Sequence, residues 1–345
     1  MSGSNGAAVI YEQFADRRTL AKIVIGFVVA GILVYFLGVI IGLDDVRLAF
    51  READLRWLAV ACLSTFIGLA AWGKAWQIVL AVVGIDVEYR YLVVTYFSAT
   101  FANYITPFGQ AGGEPFIAYV LSQDTGASYE DSLASVVIAD LLNLLPFFNF
   151  AALGLAVLLI RAELPAVIRP LAFALTALAV AIPAIAYIGW NYREAVERGV
   201  LRLLGPVLGR TKRFSVEGVR QRIDRFYASL ELIADEPREL AYALVFSYTG
   251  WLFFALPLYI AAITLGFHIE PLVVLFIVPA STIAGFVPTP GGLAGVETAL
   301  VVLLVALVPF GAGEAFAVAT VYRVASYWFA LVVGGLATFS VIARA

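Results

Sequence analysis

The feature that most constrains this chain is a short segment, rich in proline and glycine, that occurs twice inside long apolar runs. The first copy reads Thr-Pro-Phe-Gly-Gln-Ala-Gly-Gly-Glu at 106–114, and the second reads Thr-Pro-Gly-Gly-Leu-Ala-Gly-Val-Glu at 289–297. Subtracting 106 from 289 gives an offset of 183 residues, and six of the nine positions are identical. Proline lacks the N–H that continues a helix and glycine permits unusual dihedral angles, so each copy predicts a helix break.

The composition around these breaks is that of a membrane protein. Of the 345 residues, 62% are hydrophobic and 14% are charged, and the mean hydropathy is +0.95. A soluble domain is about half apolar and about one quarter charged. We therefore expect an all-α, polytopic bundle of membrane helices. Since unpaired backbone groups are not tolerated in lipid, the two breaks must line protein or water.

Several classes of chemistry find no support in the sequence. The single cysteine, Cys62, excludes an intrachain disulfide and a multi-cysteine metal site, and the single histidine, His268, excludes a two-histidine site. The glycines of the two breaks do not follow strands, so they are not dinucleotide-binding loops. We expect no metal, no cofactor and no catalytic residue. The net charge of −3 gives no reason to expect a nucleic-acid partner.

We interpret residues 1–345 as one transmembrane domain. Its basic N-terminal flank and its basic segment 192–238 are expected on the cytoplasmic side by the positive-inside rule, and the C-terminus follows them there. The protein is thus expected to be a multi-pass protein of the cell membrane. The predicted parts are an N-terminal helix with an interfacial helix at 1–56, repeat 1 at 57–160, a connecting span with the basic segment at 161–238, and repeat 2 at 239–343.

The same offset relates whole segments as well as the two motifs. It carries the predicted span 57–84 onto 240–267, the broken segment 91–121 onto 274–304, and the span 132–160 onto 315–343. It also carries Asp140 onto Arg323, with the sign of the charge reversed. Counting membrane crossings gives the two repeats opposite orientations. Inverted repeats with broken helices near the midplane are typical of transporters.

Each break joins two short apolar arms, which indicates a re-entrant hairpin. The second arm presents a helix N-terminus, whose free N–H groups and partial positive charge suit a phosphate or carboxylate. Glu114 and Glu297 stand at those N-termini. Two roles remain open for them at this point: capping the helix, or carrying a proton that alternates with the bound anion.

Asp140 and Arg323 are predicted near the middle of the bilayer, where a lone charge is unfavourable. One interpretation pairs them with each other across the repeat interface. The other has Arg323 release Asp140 and bind a lipid phosphate through its guanidinium fork. A further alternative concerns 192–238, where heptad spacing from Val219 to Ile233 predicts an amphipathic helix that packs under the bundle or lies on headgroups.

Two sequence motifs and one arginine indicate a resemblance to a known family. The chain resembles the lysylphosphatidylglycerol synthase transmembrane family, also called flippase-like or UPF0104 proteins. The resemblance is carried by Pro-Phe-Gly-Gln-Ala-Gly-Gly-Glu-Pro at 107–115, by Val-Pro-Thr-Pro-Gly-Gly-Leu-Ala-Gly-Val-Glu at 287–297, and by Arg323 after them. The resemblance covers about 20–343 and implies an integral membrane protein that handles lipids. Some members make lysylated lipid in an added domain and flip it, and similar archaeal proteins are linked to export of polyisoprenyl-phosphate sugars.

The expected function is movement of an anionic phospholipid or a polyisoprenyl-phosphate-linked lipid between leaflets, as a flippase or scramblase. The alternative is a membrane-embedded enzyme that modifies lipids, or an assembly subunit for lipid or glycan synthesis. The expected partner is an anionic membrane lipid. The residues expected to bind or transport it are Thr106, Pro107, Gly109, Gly112, Gly113, Glu114, Asp140, Thr289, Pro290, Gly291, Gly292, Gly295, Glu297 and Arg323.

Overall fold

A computed structural model describes residues 17–41, 51, 53–105, 118, 121–122, 126–161, 164–208, 216–287 and 289–342. These residues are almost entirely helical and contain no strand. The first Pro/Gly segment, 106–114, and most of the predicted interfacial helix lie outside them. The helices are α1 Arg17–Ile41, α2 Leu55–Val82, α3 Tyr89–Ile105, α4 Tyr129–Arg161, α5 Arg169–Asn191, α6 Arg193–Leu208, α7 Val216–Ala234, α8 Pro237–Thr264, α9 Pro271–Ile283, α10 Gly295–Leu307, α11 Ala312–Arg323 and α12 Phe329–Ile342.

The structure confirms a bundle of membrane helices. Six described segments are long and apolar enough to cross a bilayer: Leu55–Val82, Tyr129–Ile160, Arg169–Asn191, Pro237–Thr264, Pro290–Leu307 and Ala312–Ser340. The last of these combines α11 and α12, which are joined without interruption by a π-helical turn, Val324–Trp328. The predicted segments therefore match the helices closely, because apolar length and proline positions are both readable from sequence.

Local sequence explains where several helices begin. Asp54 precedes α2 in an extended conformation and its carboxylate accepts a hydrogen bond of 3.0 Å from the Arg56 N–H. Pro237 and Pro271 occupy the first positions of α8 and α9. Proline is favoured there because its missing N–H has no helical partner in any case.

The bundle is centred on α2 and α8, which share the most extensive contact between two helices. Their backbones approach closely at Gly68, where an added Cβ would lie 3.0 Å from the Gly250 carbonyl oxygen. Next to this crossing, the rings of Trp72 and Trp251 meet edge to face at 5.4 Å. Small residues let the backbones come together, and the large aromatic rings fill the space on either side.

Two further helix pairs complete the bundle. α3 packs along α12, and α9 packs along α4. In each pair a glycine lets the backbones approach closely: an added Cβ on Gly334 would lie 2.5 Å from the Phe97 carbonyl oxygen, and one on Gly154 would lie 2.6 Å from the Phe276 nitrogen.

The amphipathic helix predicted after Tyr192 is present as α7, and it packs against the bundle. Ile233 is 1% exposed and belongs to a buried cluster with residues of α2, α3, α4 and α8. The Ser229 hydroxyl donates a hydrogen bond of 2.8 Å to Asp131, at the start of α4. Of the two alternatives that the sequence left open, the structure favours packing under the bundle for this helix.

Candidate functional site

The described Pro/Gly segment interrupts the helical path between α9 and α10, as predicted. Short 3₁₀ turns at Ala284–Phe286 and Pro290–Gly292 separate the two helices. The Thr289 hydroxyl donates a 2.8 Å hydrogen bond to the carbonyl oxygen of Leu293, which closes the turn. The break is therefore a folded structure with its own hydrogen bonds.

Three residues of this break have positive φ angles: Gly291 at 56°, Gly292 at 65° and Ala294 at 69°. Glycine adopts such angles readily, but alanine does so only with strain. Ala294 also has ψ of −39°, near the sparsely populated region of the γ-turn. Strained backbone of this kind clusters at functional sites, so the turn at Ala294 marks this region as a candidate site.

A buried ion pair lies beside the break. The Arg323 Nε atom donates to the Oε1 atom of Glu297 at 2.6 Å, and the Arg323 Nη2 atom donates to the Gly291 carbonyl oxygen at 3.1 Å. Glu297 is 4% exposed and Arg323 is 8% exposed. The second carboxylate oxygen, Oε2 of Glu297, is buried and has no hydrogen-bond partner among the described residues.

Gly291 brings the backbone close to the arginine. A Cβ added there would lie 2.0 Å from the Cε2 atom of Tyr327, so that ring occupies the space a side chain would need. The same ring lies beneath the guanidinium of Arg323, with 4.3 Å between its centroid and Cζ. Stacking on an aromatic face favours a cation that is removed from water.

Tyr327 also connects this break to α3, the helix that precedes the first Pro/Gly segment in the sequence. Its hydroxyl donates a 3.3 Å hydrogen bond to the carbonyl oxygen of Tyr104, and the two rings lie 4.9 Å apart. α3 ends at Ile105, one residue before the first Pro/Gly segment, and it contacts the 3₁₀ turn Pro290–Gly292. The last described residues before the first Pro/Gly segment therefore lie against the break between α9 and α10.

The structure brings together most of the predicted residues that it describes. Gly291, Glu297 and Arg323 are in direct contact, and the remaining residues of the segment shape the turn around them; these are Thr289, Pro290, Gly292 and Gly295. The predicted residues of the first segment lie outside the described residues, namely Thr106, Pro107, Gly109, Gly112, Gly113 and Glu114.

The predicted pairing of Asp140 with Arg323 is wrong, since the ion-pair partner of Arg323 is Glu297. Asp140 is partly buried on α4, where it interacts electrostatically with Tyr96 of α3, which is also partly buried. The prediction rested on depth in the membrane, which was read from hydropathy. Depth does not specify the direction in which a side chain leaves its helix, and that direction decides which charges meet.

Two residues of the site, Tyr104 and Tyr327, were not predicted from the sequence. Each places a phenolic hydroxyl in an apolar run, and buried tyrosines usually need a hydrogen-bond partner. That signal was available from sequence. The π-helical turn that contains Tyr327 was not, although such turns are frequent at functional sites.

The arrangement suits recognition of an oxyanion. Arginine carries five N–H donors in a planar fork, and those on Nε and Nη2 are the ones with described acceptors. The N-terminus of α10 adds partial positive charge at the same place. A phosphate or carboxylate is the kind of ligand that both features favour.

Comparison with known proteins places this architecture among membrane proteins. Residues 23–334 match the family described as "Lysylphosphatidylglycerol synthase TM region". A UPF0104 membrane protein of Methanothermobacter thermautotrophicus is 27% identical over 321 residues, which cover 90% of this chain and 92% of that protein. A second from the same organism is 26% identical, with 93% of each chain covered. One from Pyrococcus horikoshii is 24% identical, over 91% of this chain and 94% of that protein.

Proposed function

This chain belongs to the family of the lysylphosphatidylglycerol synthase transmembrane region, and from that premise we propose that it moves an anionic lipid between leaflets. The lipid is a phospholipid or a polyisoprenyl-phosphate-linked lipid. The observation that carries the proposal is the buried pair of Arg323 and Glu297 at the helix break between α9 and α10. Ionisable residues at membrane depth are unfavourable unless they are paired, and they commonly mark a transport path.

The lengths of the two arms support a re-entrant hairpin. α9 and α10 each contain 13 residues, which corresponds to about 20 Å at about 1.5 Å per residue. A hydrocarbon core is about 30 Å thick, so neither helix is long enough alone to cross it. The second arm reaches the length of a span only when the turn from Pro290 is counted with α10. The arms also pack against each other. A hairpin of this kind places the break, with its charged pair, inside the membrane.

The helix contacts support inverted repeats. The offset of 183 residues relates α2 to α8, α3 to α9, and the second half of α4 to α12. α2 packs on α8, and the contact of α3 with α12 is mirrored by that of α9 with α4. A two-fold axis that relates the two halves explains this pattern. Such an axis carries α3 onto α9 and α12 onto the second half of α4, so a contact between α3 and α12 requires one between α9 and α4. A glycine allows close backbone contact in each mirrored pair, Gly334 in one and Gly154 in the other.

The end of α3 supports a meeting of the two breaks. Tyr104 accepts a hydrogen bond from Tyr327, whose ring lies against Gly291. In the proposal, the segment from Thr106 to Glu114 continues from this point and completes the anion site from the opposite side. Asp140, near Tyr96 on the same side, lines the approach.

The same proposal fixes the orientation. The N-terminus, residues 192–238 and the C-terminus lie on the cytoplasmic side of the cell membrane, because the long polar segment is rich in arginine. The two hairpins then open to opposite faces, and a headgroup reaches the site from either leaflet in turn.

The test is lipid exchange in reconstituted vesicles. Phosphatidylethanolamine labelled on its headgroup amine is anionic, and its arrival in the outer leaflet is followed with a membrane-impermeant quencher. Wild-type protein should accelerate exchange over protein-free vesicles. Arg323→Lys should lower the rate by about tenfold or more, because lysine keeps the charge but loses the fork.

A matched control changes an arginine outside the site. Arg225 on α7 is exposed and pairs with Glu130 at 3.6 Å, away from the helix break, so Arg225→Lys should leave exchange unchanged. Adding unlabelled polyisoprenyl phosphate distinguishes the two lipid classes, since strong competition identifies it as the preferred ligand. If lipid exchange with the wild-type protein is no faster than in protein-free vesicles, the proposed function is contradicted.

A further inference from the structure

We infer that Glu297 occupies the place of the transported anion on Arg323, and that an anion binds there only when Glu297 leaves and takes up a proton. The inference rests on the proposed function and adds to it a coupling between lipid and protons.

The first observation is that the pair is incomplete on the carboxylate side. Arginine and carboxylate often form two parallel hydrogen bonds, but here a single bond of 2.6 Å joins Nε to Oε1. Oε2 of Glu297 is buried without a partner among the described residues. A buried acceptor without a donor is unfavourable, so Arg323 holds this carboxylate less firmly than a pair with two hydrogen bonds would.

The second observation is that the pair is incomplete on the arginine side. Nε and Nη2 have acceptors, whereas Nη1 has none within the part of the chain that the structure describes. The guanidinium therefore holds Glu297 by one nitrogen and keeps other donors available. An oxyanion with several oxygens can make more hydrogen bonds to this fork than Glu297 does.

The third observation concerns the charges that surround Glu297. Arg323 is its ion-pair partner, and Tyr327 from the π-helical turn interacts with it electrostatically. α9 contains no titratable residue, and α10 contains only Glu297 itself.

The other elements packed near the break add only neutral groups. α3 contributes Tyr104 and α11 contributes Tyr322, both of which interact with Arg323. α1 also contacts the break, and Tyr35 is the titratable group among its described side chains; it is 61% exposed. Within the described residues, one cation and one anion therefore set the charge of the site.

The charges of these groups explain why binding of the lipid should be coupled to uptake of a proton. In the resting pair, Arg323 and ionised Glu297 sum to zero. A bound monoanion would leave a net charge of −1 in a buried site, which is strongly disfavoured. Protonation of the Glu297 carboxylate by water from the open face restores a sum of zero, and the proton returns to water when the anion departs.

The experiment counts protons taken up per lipid bound. Detergent-solubilised full-length protein is titrated calorimetrically with dihexanoyl phosphatidylglycerol, whose phosphodiester does not titrate near neutral pH, in two buffers of different ionisation enthalpy. Wild type should take up about one proton per lipid, and its affinity should rise about tenfold per unit of falling pH while Glu297 is ionised in the free protein.

Two variants locate the proton. Glu297→Gln should bind the lipid with no proton uptake and with an affinity that is independent of pH. Glu314→Gln should behave as wild type, because Glu314 stands at the same position of the next helix but bonds to Gly311. Should Glu297→Gln not fold, the proton count of the wild type and its pH dependence still decide the question.

The possible results distinguish a failure of the proton coupling from a failure of the proposed lipid transport. Lipid binding by the wild type without proton uptake overturns the coupling and leaves the proposed function standing. Proton uptake that persists in a folded Glu297→Gln variant also overturns it. No binding by the wild type, together with no exchange in vesicles, overturns both.

Discussion

Glu297 and Glu314 occupy the same local position in successive helices but do different things. Each is the third residue of its helix, since α10 begins at Gly295 and α11 begins at Ala312. Glu314 accepts a 2.8 Å hydrogen bond from the Gly311 N–H and so caps the start of its own helix. Glu297 instead reaches Arg323, 26 residues further along the chain.

The backbone before each helix explains the difference. Gly311 is extended, with φ −69° and ψ 163°, the conformation in which the residue before a helix turns its N–H toward the third side chain. Ala294 has φ 69° and ψ −39°, and no side-chain cap forms at this end of α10. The strained turn thus frees Glu297 from capping and makes it available to the arginine.

The largest effect is expected from removing the partner of the buried acid. Arg323→Ala leaves the Glu297 carboxylate buried without its cation, which should lower stability by about 3–5 kcal/mol. The measurement is the shift in the thermal unfolding midpoint in detergent. Adding Glu297→Leu to the same variant should recover much of the loss, and failure to recover it would show that the pair is not coupled.

A smaller loss is expected at the glycine that brings the backbone to Arg323. Gly291→Ala places a Cβ 2.0 Å from the Tyr327 ring at a φ of 56°, and both strain and overpacking contribute, for about 2–3 kcal/mol. Gly266 is the matched control, because its φ of 75° is similar and nothing lies within 4 Å. Equal losses in the two variants would contradict the packing argument.

How far the site could be predicted from sequence follows from these same residues. Pro290 and its neighbouring glycines predicted the break, and Glu297 was expected at a helix start, because both are local properties of the chain. The partner of Arg323 was predicted wrongly, since it depends on the turn at Ala294 and on the rotation of α11 against α10. Hydropathy gave the order and length of the helices but carries no information on either.

Removing Glu314, the acid that caps its own helix, should lower stability by less than the changes at Arg323 and Gly291. Glu314→Ala removes one charge-assisted hydrogen bond at a partly exposed helix end, and we expect a loss of about 1 kcal/mol. Lipid exchange should stay at the wild-type rate. A strong fall in exchange in a well-folded Glu314→Ala variant would mean that the two acids are not functionally distinct.

The smallest effect is expected at the strained residue itself. Ala294→Gly relieves the strain of a positive φ but adds flexibility to the unfolded chain, so a net gain of about 0.5 kcal/mol is expected. Thermal unfolding of this variant beside wild type measures it. Ala299→Gly, in the regular part of α10, should instead lower stability by about 1 kcal/mol.

The central claim is that an anionic headgroup binds Arg323 beside the helix break between α9 and α10, and photocrosslinking tests it most directly. Phosphatidylglycerol with a photoreactive group on its headgroup is added to the reconstituted protein, and the modified peptides are identified by mass spectrometry. The account predicts adducts within 289–297 and around Arg323 and Tyr327, which are lost in Arg323→Lys. Adducts confined to lipid-exposed helices such as α5, and unchanged in that variant, would contradict it.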